Sequence, residues 1–208
     1  MKININNILN SKFTLLIAGF ILTGIVGSFL NYQFQKEAWK RQAHYEVVKR
    51  QLDQTQEAVE KILLLANKRF YAMQKVFWSL EGFKIEEAKR RWEEYNSVRD
   101  EWSIMVSNFR SKIKVFLSPE LSYELLDKDD ARNYKNKESL HALFVVAHYQ
   151  LKEFMKYSDS NSQQRRKAEL EALDTLSELG KHIGDFSERC YTVYLNKYFC
   201  FEKELGNK

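Results

Sequence analysis

Histidine and acidic side chains at helical spacing are the residues of this chain that could bind a metal. Glu138 and His141 lie three positions apart, which places both on one face of a helix. Di-iron bundles use this pair twice, with a further carboxylate from each of two other helices. Here Glu178 and His182 are four positions apart, so the second copy is missing. A metal-binding, di-iron-like enzyme is therefore the weakest of the functions considered.

The remaining histidines and cysteines do not form a reaction centre by their spacing. His141 and His148, seven residues apart, are separated by about 10 Å along a helix axis, too far to share one metal ion. Cys190 and Cys200 are separated by about 15 Å in the same way, too far for a disulfide within one helix. Two unpaired thiols are typical of a reducing compartment. We expect no metal, no cofactor and no enzymatic activity.

Aromatic side chains crowd the end of the last predicted helix. Tyr191, Tyr194, Tyr198 and Phe201 recur at i, i+3, i+7 and i+10, which places them along one side of that helix. Most aromatic residues of a helical domain are core residues. Here there are too many for one buried stripe, and Tyr, Trp and Phe are enriched at protein interfaces. These four residues are our candidate partner surface.

The elements that must position these residues begin with an apolar segment. Residues 13–30 form one uncharged run, which at about 1.5 Å per residue spans roughly 27 Å, close to the hydrocarbon thickness of a bilayer. A cleaved signal peptide is the alternative, with a poor cleavage site at 26–28. Because the run is long and polar helix-forming sequence continues from Asn31 without a break, we predict an uncleaved transmembrane anchor at 13–31, after a tail at 1–12.

Small residues recur every four positions inside this anchor. Gly19, Thr23 and Gly27 form one stripe, and Gly24 and Ser28 form a neighbouring one. Small residues at this spacing let two helix backbones approach closely in lipid. The predicted partner of this face is a second copy of the chain, which would make the protein a homo-oligomer.

The distribution of charge bears on the membrane side and on nucleic acid. The 20 residues after the anchor hold five basic side chains, against two before it, which favours a cytoplasmic location of the C-terminal domain at the cell (inner) membrane. The net charge is +5. The basic run 89–91 has acidic neighbours at 86–87 and 93–94, so no free basic patch exists and nucleic acid is an unlikely partner.

The pattern of the remaining chain predicts an all-α fold. One proline and seven glycines in 208 residues are too few for the turns of a sheet. Apolar or small residues follow a heptad seam with one stutter from Val48 to Leu80, and Gly82 follows the predicted end of that helix. Further helices are predicted at 85–117, 120–126, 137–157 and from 165 to 205. The anchor would thus continue into an antiparallel bundle of about four long helices at 32–205.

The function predicted from these features is binding and not catalysis. A membrane-tethered bundle without a reaction motif is typical of a structural, scaffold or regulatory subunit that acts through protein–protein contacts. One alternative is an extracytoplasmic bundle that senses a small ligand between its helices. Such a sensor needs an output module across the membrane, and 12 N-terminal residues are too few to supply it.

Overall fold

The computed structural model describes residues 12–126, 139–158 and 162–206. Within these ranges the chain is 94% helical and contains no strand, which confirms the predicted all-α class. Residues 1–11 of the predicted tail lie outside the described residues. Glu138 of the proposed metal pair lies outside them as well. Five helices are described: α1 (Lys12–Glu81), α2 (Ile85–Phe116), α3 (Pro119–Leu125), α4 (Leu140–Lys156) and α5 (Gln163–Gly206).

Helix α1 is 70 residues long and belongs to two compact units of the chain, residues 1–50 and 51–208. In the first unit the large apolar side chains are exposed, among them Leu16, Phe20 and Leu22. Here α1 has an 18-residue window of mean hydropathy 1.9, and among the described helices it alone is long and apolar enough to cross a membrane.

The second unit has one hydrophobic core to which all five helices contribute. Most of the predicted heptad seam of α1 is buried there, including Val59, Ile62, Ala66, Met73 and Leu80, whereas Phe70 is half-buried. A seam of this kind stabilises a helix mainly through tertiary burial, because a helix gains little from propensity alone.

Contacts between side chains give the direction in which α1, α2 and α5 run. Lys68 of α1 pairs with Glu101 of α2 at 2.6 Å, after a turn of only three residues at 82–84. Tyr194 near the end of α5 bonds to Gln56 early in this part of α1. Arg165 at the start of α5 bonds to Leu80 at the end of α1. Helix α1 is therefore antiparallel to both α2 and α5.

Helix α4 runs antiparallel to α2 and lies beside α1. Trp102 of α2 bonds to His141 near the start of α4, and the earlier Tyr95 bonds to the later His148. Phe77 of α1 packs on Phe154 of α4 with 5.6 Å between ring centroids. The long helices thus alternate in direction, as predicted for an antiparallel bundle.

The turn between α1 and α2 differs from the sequence-based expectation in one residue. Phe83, and not Gly82, has the left-handed backbone, with a φ of 56°. The amide of Phe83 donates to the Leu80 carbonyl and that of Lys84 to the Ser79 carbonyl, the pair of bonds found at many helix ends. Glycine usually occupies this left-handed position, because other residues are strained there.

Gly180 allows α5 to lie close to α1. A Cβ atom at this position would be 3.0 Å from the ring of Phe70, closer than ordinary packing permits. Around Gly184 the space is open. Since α5 is one helix from Gln163 to Gly206, Gly180 serves close helix contact, one of the two roles that its position predicted.

Candidate binding site around a buried arginine

A charged residue lies on the buried face of α1, directly before Phe70 of the predicted heptad seam. Arg69 is seven residues after Ile62 and seven before Val76, and both of these are fully buried. The side chain of Arg69 is itself only 2% exposed. Its guanidinium carbon lies 4.4 Å from the ring centroid of Phe144 and 5.7 Å from that of Trp102. The cation is therefore enclosed by α1, α2 and α4.

The positive charge of Arg69 is not balanced by any carboxylate of the described residues. Its Nε and Nη1 atoms are buried and have no hydrogen-bond partner there. Burial lowers the pKa of Arg69, and the neighbouring Tyr95 hydroxyl partly offsets this effect. Cation–π contacts contribute about 2 kcal/mol when desolvated. An unpaired buried ion costs several kcal/mol, so the aromatic rings do not fully compensate the charge.

A polar row leads from this arginine towards the surface. Tyr95 is fully buried, and its hydroxyl lies 3.1 Å from Nδ1 of His148. The half-buried His148 ring stacks on Trp92, with 5.0 Å between centroids. If Tyr95 donates to His148, its oxygen is free to accept a bond from Arg69. Arg69, Tyr95, His148 and Trp92 thus form one connected group, which we call the arginine cluster.

His148 is neutral at physiological pH. Burial, together with the smaller effects of the positive charges of Arg99, Arg69 and Lys152, lowers its pKa to about 4. A neutral imidazole has one ring nitrogen that accepts a hydrogen bond, so Nδ1 of His148 can accept from the Tyr95 hydroxyl in one of its two tautomers. The charged groups that act on this histidine are cations, and one of them, Arg99, is itself paired with Asp100 at 2.8 Å.

The other histidine of α4 is held by a tryptophan. Nε1 of Trp102 donates to Nδ1 of His141 at 3.0 Å, which makes Nδ1 an acceptor. His141 and His148 therefore bond to different aromatic partners and do not face a shared metal position. Within residues 12–126, 139–158 and 162–206, no three His, Cys, Asp or Glu side chains come together as metal ligands.

The predicted partner surface is divided by the structure. Tyr191 and Tyr198 are 41% and 38% exposed, whereas Phe201 is only 9% exposed. Tyr194 is half-buried and donates to Oε1 of Gln56 at 3.1 Å. The two exposed tyrosines lie beside two other exposed apolar side chains that the predicted surface did not include. These four residues, the C-terminal apolar row, are Tyr191, Leu195, Tyr198 and Phe199.

The small residues of the predicted membrane face are open in the single chain. A Cβ atom at Gly19, Gly24 or Gly27 would meet no heavy atom within 4 Å. The Thr23 hydroxyl donates to the Gly19 carbonyl at 2.8 Å, so its polar group is satisfied within the helix. Ser28 is exposed as well.

The two cysteines are free and differ in environment. Cys190 is buried, and burial, with a smaller effect of the Glu124 charge, raises the pKa of its thiol to about 12. A thiol with such a pKa keeps its proton and is a poor nucleophile. Cys200 is exposed on α5. Cys190 is therefore a packing residue.

Comparison with protein-family models, curated proteins and solved structures found no match to this chain.

Proposed function

We propose that this chain is a single-pass membrane protein whose helical domain works through contacts with other proteins, as a structural, scaffold or regulatory subunit. The observation that carries the proposal is the C-terminal apolar row. Its members follow one another at i, i+4, i+7 and i+8, which puts them within about 100° of one another around the helix. Exposed apolar groups of this kind mark interaction sites more often than scattered single residues do.

The end of α5 is attached to its own domain by a different side of the helix. Cys190 and Phe201 are buried and Tyr194 is half-buried, so these three residues attach the end of α5 to its own domain. The C-terminal apolar row lies on another face and is not needed for that attachment. Aromatic residues such as Tyr191 and Tyr198 are common anchors at the centre of interfaces.

Residues after the apolar segment support its role as a membrane anchor. Tyr32 and Trp39 are exposed on α1 after this segment. Lys36 lies between them, and Lys40 and Arg41 follow Trp39. Tyr and Trp are enriched at the headgroup level of membranes, and basic side chains interact with anionic lipid there. In the membrane, the open stripe of small residues would pack against a second copy of the chain.

We place the helical domain in the cytoplasm, at the inner membrane. The excess of basic residues after the anchor and the free thiols support this side. The exposed Cys200 provides the test, because Cys190 is buried. A membrane-impermeant maleimide should label Cys200 only after the cells are permeabilised. Labelling in intact cells would reverse the assignment.

A pair of variants on α5 tests the protein contact. Tyr191→Ala with Tyr198→Ala removes two anchors of the C-terminal apolar row, and Leu170→Ala with Leu173→Ala removes two exposed leucines elsewhere on the helix. Each anchor of an interface centre contributes about 2 kcal/mol or more, roughly a 30-fold change in affinity. The tyrosine variant should lose the proteins that co-purify with the full-length chain, and the leucine variant should retain them.

Thermal melting of both variants decides whether the loss is specific. Because all four side chains are exposed, neither pair should change the melting temperature by more than a few degrees. If the tyrosine variant melts normally and still retains every co-purifying protein, the C-terminal apolar row is not the interface.

A further inference from the structure

We propose that Arg69 is the binding residue for a small carboxylate ligand, held between α1, α2 and α4. The proposal goes beyond the protein contact on α5, and its ligand is a free small molecule and not a segment of another protein. Arg69 is 2% exposed, so a side chain carried by a folded partner does not reach it.

Two N–H donor groups of Arg69 have no acceptor in the described part of the chain. Nε and Nη1 of Arg69 are both buried and without a hydrogen-bond partner in the described residues. Buried polar groups in native proteins are nearly always bonded, and an exception calls for a specific explanation. Guanidinium N–H groups bind carboxylates with short, charge-assisted hydrogen bonds.

The charges around the arginine cluster also favour an anionic ligand. Arg69 and Lys152 both act on the adjacent His148 as cations, whereas the charge of Arg99, which also acts on it, is paired with Asp100 at 2.8 Å. His141 and His148 both use Nδ1 towards aromatic partners, Trp102 and Tyr95. Among the described residues Asp100 is thus engaged by Arg99, and no carboxylate pairs with Arg69 itself, so an anionic ligand would complete the charge balance.

The groups around Arg69 restrict the size and chemistry of the ligand. The walls next to the guanidinium are the aromatic rings of Phe144 and Trp102, which suit a compact group with an apolar part. His148 and Trp92 are only half-buried, so the side of the cluster that they form is the closest to solvent. A small carboxylate meets both conditions, since it brings one negative charge and little volume.

The test uses the full-length chain in detergent and acetate as the probe. Melting temperatures are measured in sodium acetate, in sodium chloride at the same ionic strength, and with acetamide, which has the shape of acetate without its charge. At about 100 times the dissociation constant, binding raises the melting temperature of a domain this size by roughly 5–10 °C. We expect this rise with acetate, and no rise with acetamide or chloride.

Two arginine variants assign the effect to the site. Arg69→Met should abolish the rise with acetate, and Arg166→Met, at an exposed position of α5, should preserve it. Formate and benzoate give the size limit of the site in the same assay.

Three results would overturn the proposal. The first is wild-type protein that responds to acetate no more than to acetamide and chloride, which needs no variant and holds even if Arg69→Met fails to fold. The second is an acetate response that survives in a folded Arg69→Met variant. The third is loss of the response in Arg166→Met, which would indicate a general salt effect. None of these results bears on the co-purification test of α5.

Discussion

Arg69 and Arg165 are both buried cations of the helical domain, but different groups surround their charges. Arg165 is 6% exposed; its Nη2 donates to the Leu80 carbonyl at 2.8 Å, and its Nη1 lies 3.6 Å from a carboxylate oxygen of Glu169. Arg69 has aromatic rings and the Tyr95 hydroxyl beside it, and no carboxylate among the described residues. In Arg165 only the Nε atom lacks a hydrogen-bond partner within the described ranges, whereas in Arg69 both Nε and Nη1 lack one.

This comparison separates two uses of a buried charge. Arg165 joins the end of α1 to the start of α5, and it also covers the ring of Phe83 at 3.7 Å. Its charge is part of how the helices are held together. Arg69 makes no such link between helices through an ion pair, so its burial weakens the domain unless a ligand supplies the anion.

Methionine substitution of the two arginines should change stability in opposite directions. Arg165→Met leaves the Leu80 carbonyl and Glu169 without their cation, and we expect a loss of about 3 kcal/mol in the free energy of unfolding. Arg69→Met removes an uncompensated buried charge at similar volume, and we expect a gain of about 1–2 kcal/mol. Urea unfolding of both variants without added carboxylate measures these changes.

The free energy of unfolding of Arg69→Met decides whether the two arginines differ in this way. A loss of more than about 2 kcal/mol would mean that the aromatic contacts of Arg69 stabilise the folded state as strongly as the bonds of Arg165 do. In that case the distinction between the two arginines is wrong, even if the Arg165→Met result agrees with expectation.

A smaller effect is expected from the pH dependence of the arginine cluster. The pKa of His148 is lowered from 6.5 to about 4 in the folded state, so the unfolded chain binds the proton more tightly. Stability from this group is fully present above about pH 6.5 and is lost as the pH falls towards 4. Because the ring is half-exposed, we expect a loss of only about 1 kcal/mol between pH 7 and 5.

The His148→Gln variant isolates this contribution from the titration of carboxylates. The difference in unfolding free energy between wild type and variant should shrink by about 1 kcal/mol from pH 7 to pH 5. A constant difference across this range would show that burial and the nearby cations do not lower the pKa of His148 in the folded protein. The measurement thus tests whether the His148 ring stays neutral in the arginine cluster when the pH falls to 5.

The sequence predicted the fold well because the fold follows from repetition. The apolar seam of α1, from Val59 to Leu80, was visible as steps of three and four residues, and all of it except the half-buried Phe70 is buried. The scarcity of glycine and proline excluded a sheet. Such patterns average over many residues, so a single exception does not disturb them.

The arginine cluster was missed for the same reason. A periodic pattern assigns charged residues to the surface, and Arg69 is a single charged residue on the buried face. Its spacing of seven from both Ile62 and Val76 was the available signal. Its partners Trp102 and Phe144 come from other helices, and no pattern within one helix identifies them.

The aromatic residues of α5 show a second limit of sequence periodicity. The spacing of Tyr191, Tyr194, Tyr198 and Phe201 indicated one broad side of the helix. Which part of that side the domain covers depends on the neighbouring helix, through contacts such as the one between Tyr194 and Gln56. Phe199 was left out because it lies on a different face from the tyrosines, and Leu195 because the pattern was defined by aromatic residues.

The turn after α1 has a consequence for the order in which the protein folds. The Leu80 carbonyl receives its side-chain donor from Arg165, 85 residues further along the chain, and the same guanidinium lies over the strained Phe83. At about 5–20 residues per second, a ribosome needs roughly 4 to 17 seconds to add this stretch. During that time α1 and α2 have emerged, but the turn between them lacks its stabilising contact. The first hairpin to be made is thus completed only when the last helix begins.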